Sequence, residues 1–346
     1  MSASRTGHRI VFAAPGEIEI ESFVVRDPAE GEVLIDVAST LISAGTELSY
    51  LTGTHIGILD SSLGLVKTPA YPFEPGYSST GVVAAVGEGV SNLKVGDRVF
   101  SSAGHRSHVV CRADPASVQK LPGNVTFDEG TFVRIGTPAL LASHQAEIAL
   151  GETVVVVGLG LIGLLVAQVA KLSGAGRLVG VDIREDRLEL ARRLCADEVV
   201  NSATTDLLGR IRALTGGNGA PVVMDATGNS KVFPIALKLA ATYGRVMLVG
   251  CPHEPVSFSL FPDAFFRALT IKSCVGRHIP DTAVPQFPWS RPVMHQSVID
   301  LISRGELQVD DLITQKVPWI AAPSIYRKFL ESPGEGLGYV LDWTQS

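Results

Sequence analysis

A glycine-rich segment near the middle of the chain has the spacing of a phosphate-binding turn. It reads GLGLIG, follows the apolar run 153–158 and opens a predicted helix. The first glycine permits a tight turn, the second lets a pyrophosphate approach the backbone, and the third lets the helix pack on the strand. The start of the helix also offers unpaired N–H groups to phosphate oxygens. The expected contacts of a bound dinucleotide are Gly158, Gly160, Leu161, Ile162 and Gly163.

An acidic residue stands where a dinucleotide-binding unit would contact a ribose. Asp182 lies 24 residues after Gly158, at the end of the apolar run 177–182. A carboxylate there could accept both ribose hydroxyls of NAD, and it would repel the 2′-phosphate of NADP. Arg184 could stack on the adenine or soften that repulsion. We therefore expect NAD as the cofactor.

Three later apolar runs end in residues that could complete this cofactor site. They are 222–228, 245–250 and 269–276. Ligands of parallel α/β sheets bind at the carboxyl ends of the strands, although each of these residues could also be a simple strand terminator. The expected contacts are Thr227, Val249, Gly250, Cys274 and Val275.

The composition indicates an ordered protein and excludes several classes of partner. The 346 residues are 46% hydrophobic and 18% charged, so the chain can build a core. With 29 Lys and Arg against 35 Asp and Glu, it lacks the basic surface of a nucleic-acid binder. The apolar run 154–167 is too short for a membrane span, and no signal peptide is evident. Four scattered cysteines fit a cytoplasmic protein.

The pattern of apolar residues divides the chain into a β-rich part and an α/β part. Short strands are predicted at 17–24, 32–40, 79–90 and 96–100, before strand–helix alternation begins near residue 132. Such alternation is typical of a doubly wound parallel sheet. After a proline-rich crossing, a helix at 297–305 and a strand at 338–343 are expected to return to the β-rich part.

The order of several motifs resembles that of the medium-chain dehydrogenase/reductase superfamily, which includes zinc alcohol and polyol dehydrogenases. The matching segments are ISAGTEL (42–48), PFEPGYSSTGVVAAVGEGV (72–90), VGDRVF (95–100), GLGLIG (158–163) and DLISRGELQVDDLIT (300–314). The resemblance implies an α/β fold with a GroES-like, β-rich catalytic domain at 1–138 and 281–346. A Rossmann domain would be inserted at 139–280.

The positions that would hold catalytic zinc in this family carry other residues here. Family members have a cysteine before the G-[ST]-D element, where this chain has Ser43 and Ala44. Their Gly-His-Glu segment is replaced here by Gly-Tyr77-Ser. Thr137 stands where they have a carboxylate or a thiol. Hydroxyls and a methyl group cannot replace the thiolate, imidazole or carboxylate that binds zinc. The four-cysteine lobe is also missing. His105 and His108 resemble residues of a plain strand, so we expect no zinc.

Two zinc-free branches share further segments with the chain. ISxGTE and VLDW resemble the bacteriochlorophyllide a dehydrogenase branch, which would imply a hydroxyethyl-tetrapyrrole substrate. Gly276–Pro280, GRHIP, resembles oxidoreductases of carbohydrate biosynthesis. We favour the second, which implies that the substrate is a secondary alcohol or ketone of a sugar, cyclitol or amino sugar.

Without zinc, side chains must bind the substrate oxygen and move its proton. Glu47 and Thr46 lie beside the position of the missing ligand, and Tyr77 occupies another, so these are the candidate catalytic residues. Glu47 could instead brace the backbone, and Tyr77 could merely fill space. The candidate substrate contacts are Tyr50, His55 and Thr137.

Two other functions and an assembly state also follow from the resemblance. One alternative is an NADPH-dependent zinc-free enone or quinone reductase, which the GLGLIG turn and Asp182 oppose. The other is a non-catalytic NAD-binding protein. Family members are dimers or tetramers, often joined through the last Rossmann strand, here within 269–276, so a homo-oligomer is expected.

Overall fold

The computed structural model describes residues 5–64, 66, 70–252, 254–332 and 334–345. Contacts divide them into two compact units. The first runs up to Ile135 and takes in Pro280–Gly305 and the chain from Val309, whereas the second contains Gly136–Ile279 and Glu306–Gln308. The boundaries expected from the sequence follow residues 138 and 280. No helix among the described residues has the length and apolar character needed to cross a membrane.

The first unit begins with strands and short helices. The strands are β1 (Thr6–Ala14), β2 (Glu17–Val24), β3 (Glu32–Ile42), β4 (Ser79–Val86), β5 (Arg98–Ser101), β6 (His108–Arg112) and β7 (Val118–Lys120), and the helices are α1 (Ala44–Leu51), α2 (Ile56–Leu59) and α3 (Phe127–Gly130).

The second unit alternates strands and helices. Its elements are α4 (Val133–Ala146, which starts just before the division), β8 (Thr153–Val157), α5 (Leu161–Leu172), β9 (Arg177–Asp182), α6 (Glu185–Leu194), β10 (Glu198–Asn201), α7 (Leu207–Leu214), β11 (Ala220–Asp225), α8 (Phe233–Leu239), β12 (Ala240–Leu248) and β13 (Thr270–Ser273). The elements that follow belong to the first unit: α9 (Arg291–Ser303), β14 (Ile313–Pro318), α10 (Ala322–Glu331) and β15 (Gly338–Asp342).

The second unit is the parallel α/β sheet that the alternation predicted. Its strand order is β10-β9-β8-β11-β12-β13, and every pair is parallel. Val154–Val157 of β8 are buried on both faces, which explains the unbroken apolar run in the sequence. The GLGLIG turn therefore lies at the carboxyl end of a central strand.

The first unit is built around β3, and the two ends of the chain meet there. The sheet order is β14-β15-β3-β4-β5-β7, with β6 also paired to β3. Antiparallel pairing of β15 with β3 places Tyr339 opposite Ile42, so the predicted return of the C-terminal strand is confirmed. Tyr326 of α10 is buried in the same core against Phe12.

The two C-terminal helices, α9 and α10, differ from the sequence pattern. Helix α9 begins at Arg291, six residues before the predicted start at 297, because Pro292 occupies its first turn, where a missing N–H breaks no helical hydrogen bond. Helix α10 was not predicted from the sequence. Pro323 also lies in a first turn.

Candidate functional site

The glycines of the turn between β8 and α5 have distinct physical roles. Gly158 has φ +86°, and a Cβ there would lie 2.6 Å from the Thr227 side chain. A Cβ on Gly163 would lie 1.8 Å from the carbonyl oxygen of Gly158, so only glycine lets α5 start here. Gly160 faces open space, with no protein atom within 4 Å of its Cβ position among the described residues. The turn therefore leaves room for a ligand at Gly160.

The carboxylate of Asp182 is fixed next to this turn by backbone donors. One oxygen accepts the N–H of Leu159 at 2.7 Å, and the other accepts those of Ile183 at 2.7 Å and Arg184 at 3.0 Å. The guanidinium of Arg184 makes two hydrogen bonds to Asp186, at 2.9 and 2.8 Å. Asp182 thus presents a preorganised negative charge at the end of β9, and Arg184 is engaged with Asp186.

The other predicted cofactor contacts follow the neighbouring strands β11, β12 and β13. The buried Asp225, whose pKa is raised by burial, accepts hydrogen bonds from the backbone and hydroxyl of Thr227, at 2.9 and 2.6 Å. The N–H groups of Val249 and Gly250 both donate to the Asp225 carbonyl at 2.9 Å.

The segment after β13 carries the last two of these contacts. Cys274 is buried, and burial raises the pKa of its thiol to about 12, so it stays protonated at neutral pH. Val275 is 45% exposed.

These features fit a bound dinucleotide. Gly160 borders open space, and no described side chain caps the first N–H groups of α5. The carboxylate of Asp182 is fixed nearby. A pyrophosphate and a ribose diol bind to groups of these kinds in this order along the chain. The Leu161 and Ile162 backbone begins the helix that would receive the phosphates.

In the first unit, Glu47 is the centre of a buried hydrogen-bond network. Its side chain is almost fully buried in the first turn of α1. One carboxylate oxygen accepts the backbone N–H of Ser43 at 2.8 Å. The other lies 3.1 Å from Nε2 of His105 and accepts the hydroxyl of Tyr326. Three groups thus surround one carboxylate, as a buried charge requires.

The network continues from His105 toward the C-terminus of the chain. Nδ1 of His105 lies 2.8 Å from the hydroxyl oxygen of Thr40, which also accepts the indole N–H of Trp343 at 2.9 Å. Gly76 lets this ring approach, because a Cβ there would lie 2.8 Å from it. His105 is therefore not the ordinary strand residue expected from the sequence; it precedes β6 and is buried. His108 does lie on β6, near Asp36.

Tyr77 links this network to a cavity of the first unit. Its hydroxyl donates to the Ser43 side chain and also interacts with Thr46. Burial raises the pKa of Tyr77, and the charge of Glu47 adds to that rise, while the hydrogen bonds and Arg134 oppose it. The phenol is therefore protonated at neutral pH.

The cavity has a volume of about 400 Å³ and is polar along much of its wall. Its lining residues are Tyr77, Ser101, Ser102, Ala103, Cys111, Ala116, Ser117, Arg134, Asp281 and Arg291. Glu47 is not among them. Of the three candidate catalytic residues, Tyr77 alone is a lining residue among those described.

The predicted substrate contacts lie elsewhere in the fold. Tyr50 is stacked between His55 and Phe73, with ring centroids 4.1 and 4.3 Å away. His55 also caps α2, where its Nδ1 accepts the N–H of Gly57 at 3.1 Å. Thr137 is fully buried within α4. None of the three lines the cavity of the first unit.

The side chains at the positions of the family's catalytic zinc do not fit that metal. Ala44, Tyr77 and Thr137 supply a methyl group, a protonated phenol and an alcohol, none of which replaces thiolate or imidazole. In the described ranges, no three His, Cys, Asp or Glu side chains come together as a potential metal site.

Comparison with known proteins shows the family of the chain. The model of the alcohol dehydrogenase GroES-like domain matches residues 29–155, and that of the zinc-binding dehydrogenase domain matches 162–288. The chain therefore belongs to the medium-chain alcohol and polyol dehydrogenase superfamily, whose members are oxidoreductases acting on CH–OH groups.

Individual relatives cover most of the chain. It is 30% identical to D-xylulose reductase of Saccharomyces cerevisiae, over 99% of both proteins. It is 29% identical to L-threonine 3-dehydrogenase of Bacillus licheniformis, over 83% of this chain and 85% of that one. The crystal structure of 2R,3R-butanediol dehydrogenase from Bacillus subtilis superposes with a TM-score of 0.83, at 22% identity, over 97% of this chain and 99% of that one.

Four residues of these sites were not identified from the sequence. Tyr326 and His105 hold Glu47, and Arg134 and Arg291 line the cavity. No local motif marks them: Tyr326 is 279 residues from Glu47 along the chain. Only the folded structure brings them to the candidate catalytic residues.

Proposed function

We propose that the chain is a zinc-independent, NAD-dependent dehydrogenase that acts on a secondary alcohol or its ketone. The observation that carries this proposal is the hydroxyl of Tyr77, which stands at the position of a zinc-ligating histidine and belongs to a cavity-lining residue. The preferred substrates are sugars, cyclitols or amino sugars. The names of the relatives support this class, since a ketose, a 3-hydroxy amino acid and a diol all offer a secondary alcohol or its ketone.

The cofactor would bind at the turn after β8. When bound, a nicotinamide dinucleotide accepts hydride from the alcohol or donates it to the ketone. Gly160 would leave space for the pyrophosphate, and Asp182 would accept the ribose hydroxyls and disfavour a 2′-phosphate. This arrangement supports NAD over NADP.

Tyr77 would take the role that zinc has in other members of the superfamily. Its protonated phenol can donate a hydrogen bond to the substrate oxygen and transfer its proton during reduction. Ser43 and Thr46 contact the same hydroxyl and would relay a proton from solvent back to the phenolate. The positive charge of Arg134, 6.0 Å from the ring centroid, would stabilise the phenolate that forms.

Glu47 would act as a positioning residue. Its carboxylate already accepts hydrogen bonds from Ser43 and Tyr326, and His105 lies at the same oxygen as Tyr326. By holding the start of α1, it fixes Ser43 and therefore the hydroxyl of Tyr77.

A substrate screen with matched variants tests this function. The purified chain, treated with a chelator and checked by elemental analysis, would be assayed with NAD⁺ and NADP⁺ on sugars, cyclitols and amino sugars. We expect NAD⁺-dependent turnover without zinc, and a loss of roughly 10²–10⁴-fold in Tyr77→Phe. The control is Tyr71→Phe, which removes only a hydrogen bond to the Tyr50 carbonyl.

Several results would contradict the proposal. One zinc per chain, with activity lost in chelator and restored by zinc, would reject the metal-free mechanism. Turnover only of a hydroxyethyl-tetrapyrrole, or of enones with NADPH, would replace the substrate class. Tight NAD binding with no turnover would favour a non-catalytic protein.

We also propose that the chain forms a homo-oligomer and resides in the cytoplasm. Strand β13 is the edge of the parallel sheet and carries one exposed apolar side chain, that of Ile271, which supports pairing with a second copy. All four cysteines are free thiols, as a reducing compartment would keep them.

A further inference from the structure

The cavity of the first unit carries an excess of positive charge. Arg134, Arg291 and Asp281 all line it. Nε of Arg291 donates to the Asp281 carboxylate at 2.7 Å, so these two charges offset each other. Among the described residues, no carboxylate pairs with Arg134 in this way.

Arg134 lacks a polar partner in the part of the chain that the structure describes. Its guanidinium makes no hydrogen bond or ion pair to any described residue. The guanidinium carbon lies over the Tyr77 ring, 6.0 Å from the ring centroid. Poorly hydrated charges in proteins are normally paired. Here burial lowers the pKa of Arg134, and the nearby charge of Arg291 lowers it further. An anion in the cavity would offset both the cost of burying the Arg134 charge and its repulsion by Arg291.

Other lining groups are compatible with an anion. Ser102 offers an exposed hydroxyl that makes no side-chain hydrogen bond among the described residues. Burial raises the pKa of Cys111 to about 12, so its thiol adds no negative charge. The planar guanidinium of Arg134 matches the two oxygens of a carboxylate or phosphate. The volume of about 400 Å³ lies within the range of small-molecule sites.

His295 lies in the electrostatic field of the same two arginines, Arg134 and Arg291. His295 is fully buried, with both ring nitrogens unpartnered among the described residues. Burial lowers the pKa of His295 to about 3, and the charges of Arg134 and Arg291 contribute in the same direction. Asp281 opposes this shift, so the two arginines, and not burial alone, place positive charge beside the cavity.

From this geometry we propose that Arg134, supported by Arg291, binds an anionic group of the substrate, a phosphate or a carboxylate close to the reacting hydroxyl. Because Arg134 lies against the ring of Tyr77, an anion held by its guanidinium would be a short distance from an alcohol bound at the phenol. This inference rests on the proposed function and narrows it to phosphorylated or acidic derivatives of the secondary alcohols.

Equilibrium binding tests the anion site separately from turnover. Calorimetry in the presence of NAD⁺ would compare xylitol, xylonate and xylitol 5-phosphate as probes that differ in one terminal group. We expect at least one charged probe to bind more tightly than xylitol. In Arg134→Gln this preference should fall about 10- to 100-fold, the factor expected for lost charge-assisted hydrogen bonds, while xylitol affinity stays within about threefold.

Two further variants keep the test decisive. Arg134→Lys retains the charge and should restore part of the affinity, even if the glutamine variant folds poorly. Arg210→Gln removes a surface arginine of the second unit and should change nothing. Equal binding of all three probes by the wild type, or no binding of the charged probes, would overturn the anion site.

The two proposals can fail independently. Arg134-dependent binding without turnover of any alcohol would leave the anion site in place and reject the dehydrogenase. Turnover of neutral alcohols by a wild type that binds all three probes equally would reject the anion site and leave the dehydrogenase in place.

Discussion

The surroundings of Glu47 support one of the two roles that its position suggests, that of a residue holding its neighbours in place. A carboxylate that exchanges a proton with substrate needs a free oxygen near the substrate. Both oxygens of Glu47 instead face groups from distant parts of the chain, namely Ser43, His105 and Tyr326. Such contacts are those of a residue that positions its neighbours.

We expect Glu47→Gln to reduce the free energy of unfolding. Its amide NH₂ must face at least one N–H or O–H donor, and a buried donor without a partner costs about 1–3 kcal/mol. Denaturant unfolding would measure this change, with Glu74→Gln as the control for a surface ion pair, worth about 0–1 kcal/mol. Unchanged stability together with a loss of turnover as large as that of Tyr77→Phe would assign Glu47 to the chemistry instead.

Asp182 should set the choice of nucleotide. In Asp182→Ala we expect weaker NADH binding and a smaller preference over NADPH, because the ribose acceptor and the charge opposing a 2′-phosphate are both removed. Fluorescence titration with the two reduced nucleotides measures the ratio, and Glu189→Ala on the exposed face of α6 is the control. A wild type that binds NADPH at least as tightly as NADH would refute the assignment.

At the scale of elements, the turn between β8 and α5 contains one glycine that the proposed ligand binding requires and another that helix packing requires. Gly163 allows the helix to contact the strand end, whereas Gly160 borders open space. The same residue type therefore serves packing at one position and ligand access at the other.

Alanine at each glycine should separate these two roles. Gly160→Ala is expected to keep the melting temperature but weaken NAD binding, since its methyl group projects into the space for the pyrophosphate. Gly163→Ala should lower the melting temperature, because its Cβ overlaps the Gly158 carbonyl. Calorimetric unfolding with and without NAD distinguishes the two, and equal effects of both variants would argue against a ligand at Gly160.

Helix α9 buries a histidine that should make stability depend on pH. The folded pKa of His295, about 3, lies below the ordinary 6.5, so the unfolded chain binds a proton first as pH falls. Stability is complete above about pH 6.5 and is lost progressively toward pH 3. Between pH 7 and pH 5 the loss from this group is about 2 kcal/mol.

Replacing His295 tests this dependence. His295→Leu should unfold with a smaller decrease in stability between pH 7 and pH 5, since the group that titrates is gone. Denaturant curves at the two pH values provide the comparison, and His278→Leu, outside this buried site, is the control. Identical pH slopes for wild type and His295→Leu would show that the group is protonated normally.

At the scale of the whole molecule, the edge of the parallel sheet is the surface best suited to a second copy. Strand β13 ends the sheet order, and Ile271 on it is partly exposed. Phe265 and Phe266, just before β13, are 72% and 74% exposed. An edge with unpaired backbone groups and exposed aromatic rings favours association.

Charged substitutions at this edge should dissociate the oligomer. We expect light scattering to give at least the mass of a dimer for the wild type, and the monomer mass for Phe266→Glu combined with Ile271→Lys. Leu150→Lys, at an exposed site remote in sequence, should leave the mass unchanged. A monomeric wild type at micromolar concentration would exclude this assembly.

The sequence alone determined the features that depend on neighbouring residues. The parallel sheet, the glycine turn and Asp182 follow from apolar runs and short spacings, because strand burial and turn conformation are local consequences of residue type. The residues that stand where the resemblance places zinc ligands are likewise single positions of the sequence, as at Tyr77.

Only the tertiary structure decided what surrounds those positions. Tyr326 contacts Glu47 because β15 pairs with β3 and brings the C-terminal segment, including α10, back to the first unit. Arg134 and Arg291, also distant in sequence, line one cavity because the segment that starts at residue 280 returns to the same unit. Their types and local spacing carry no mark of these contacts. Burial and electrostatic field arise from all packed elements together, so the contacts of Glu47 and the charge of the cavity are visible only in the folded structure.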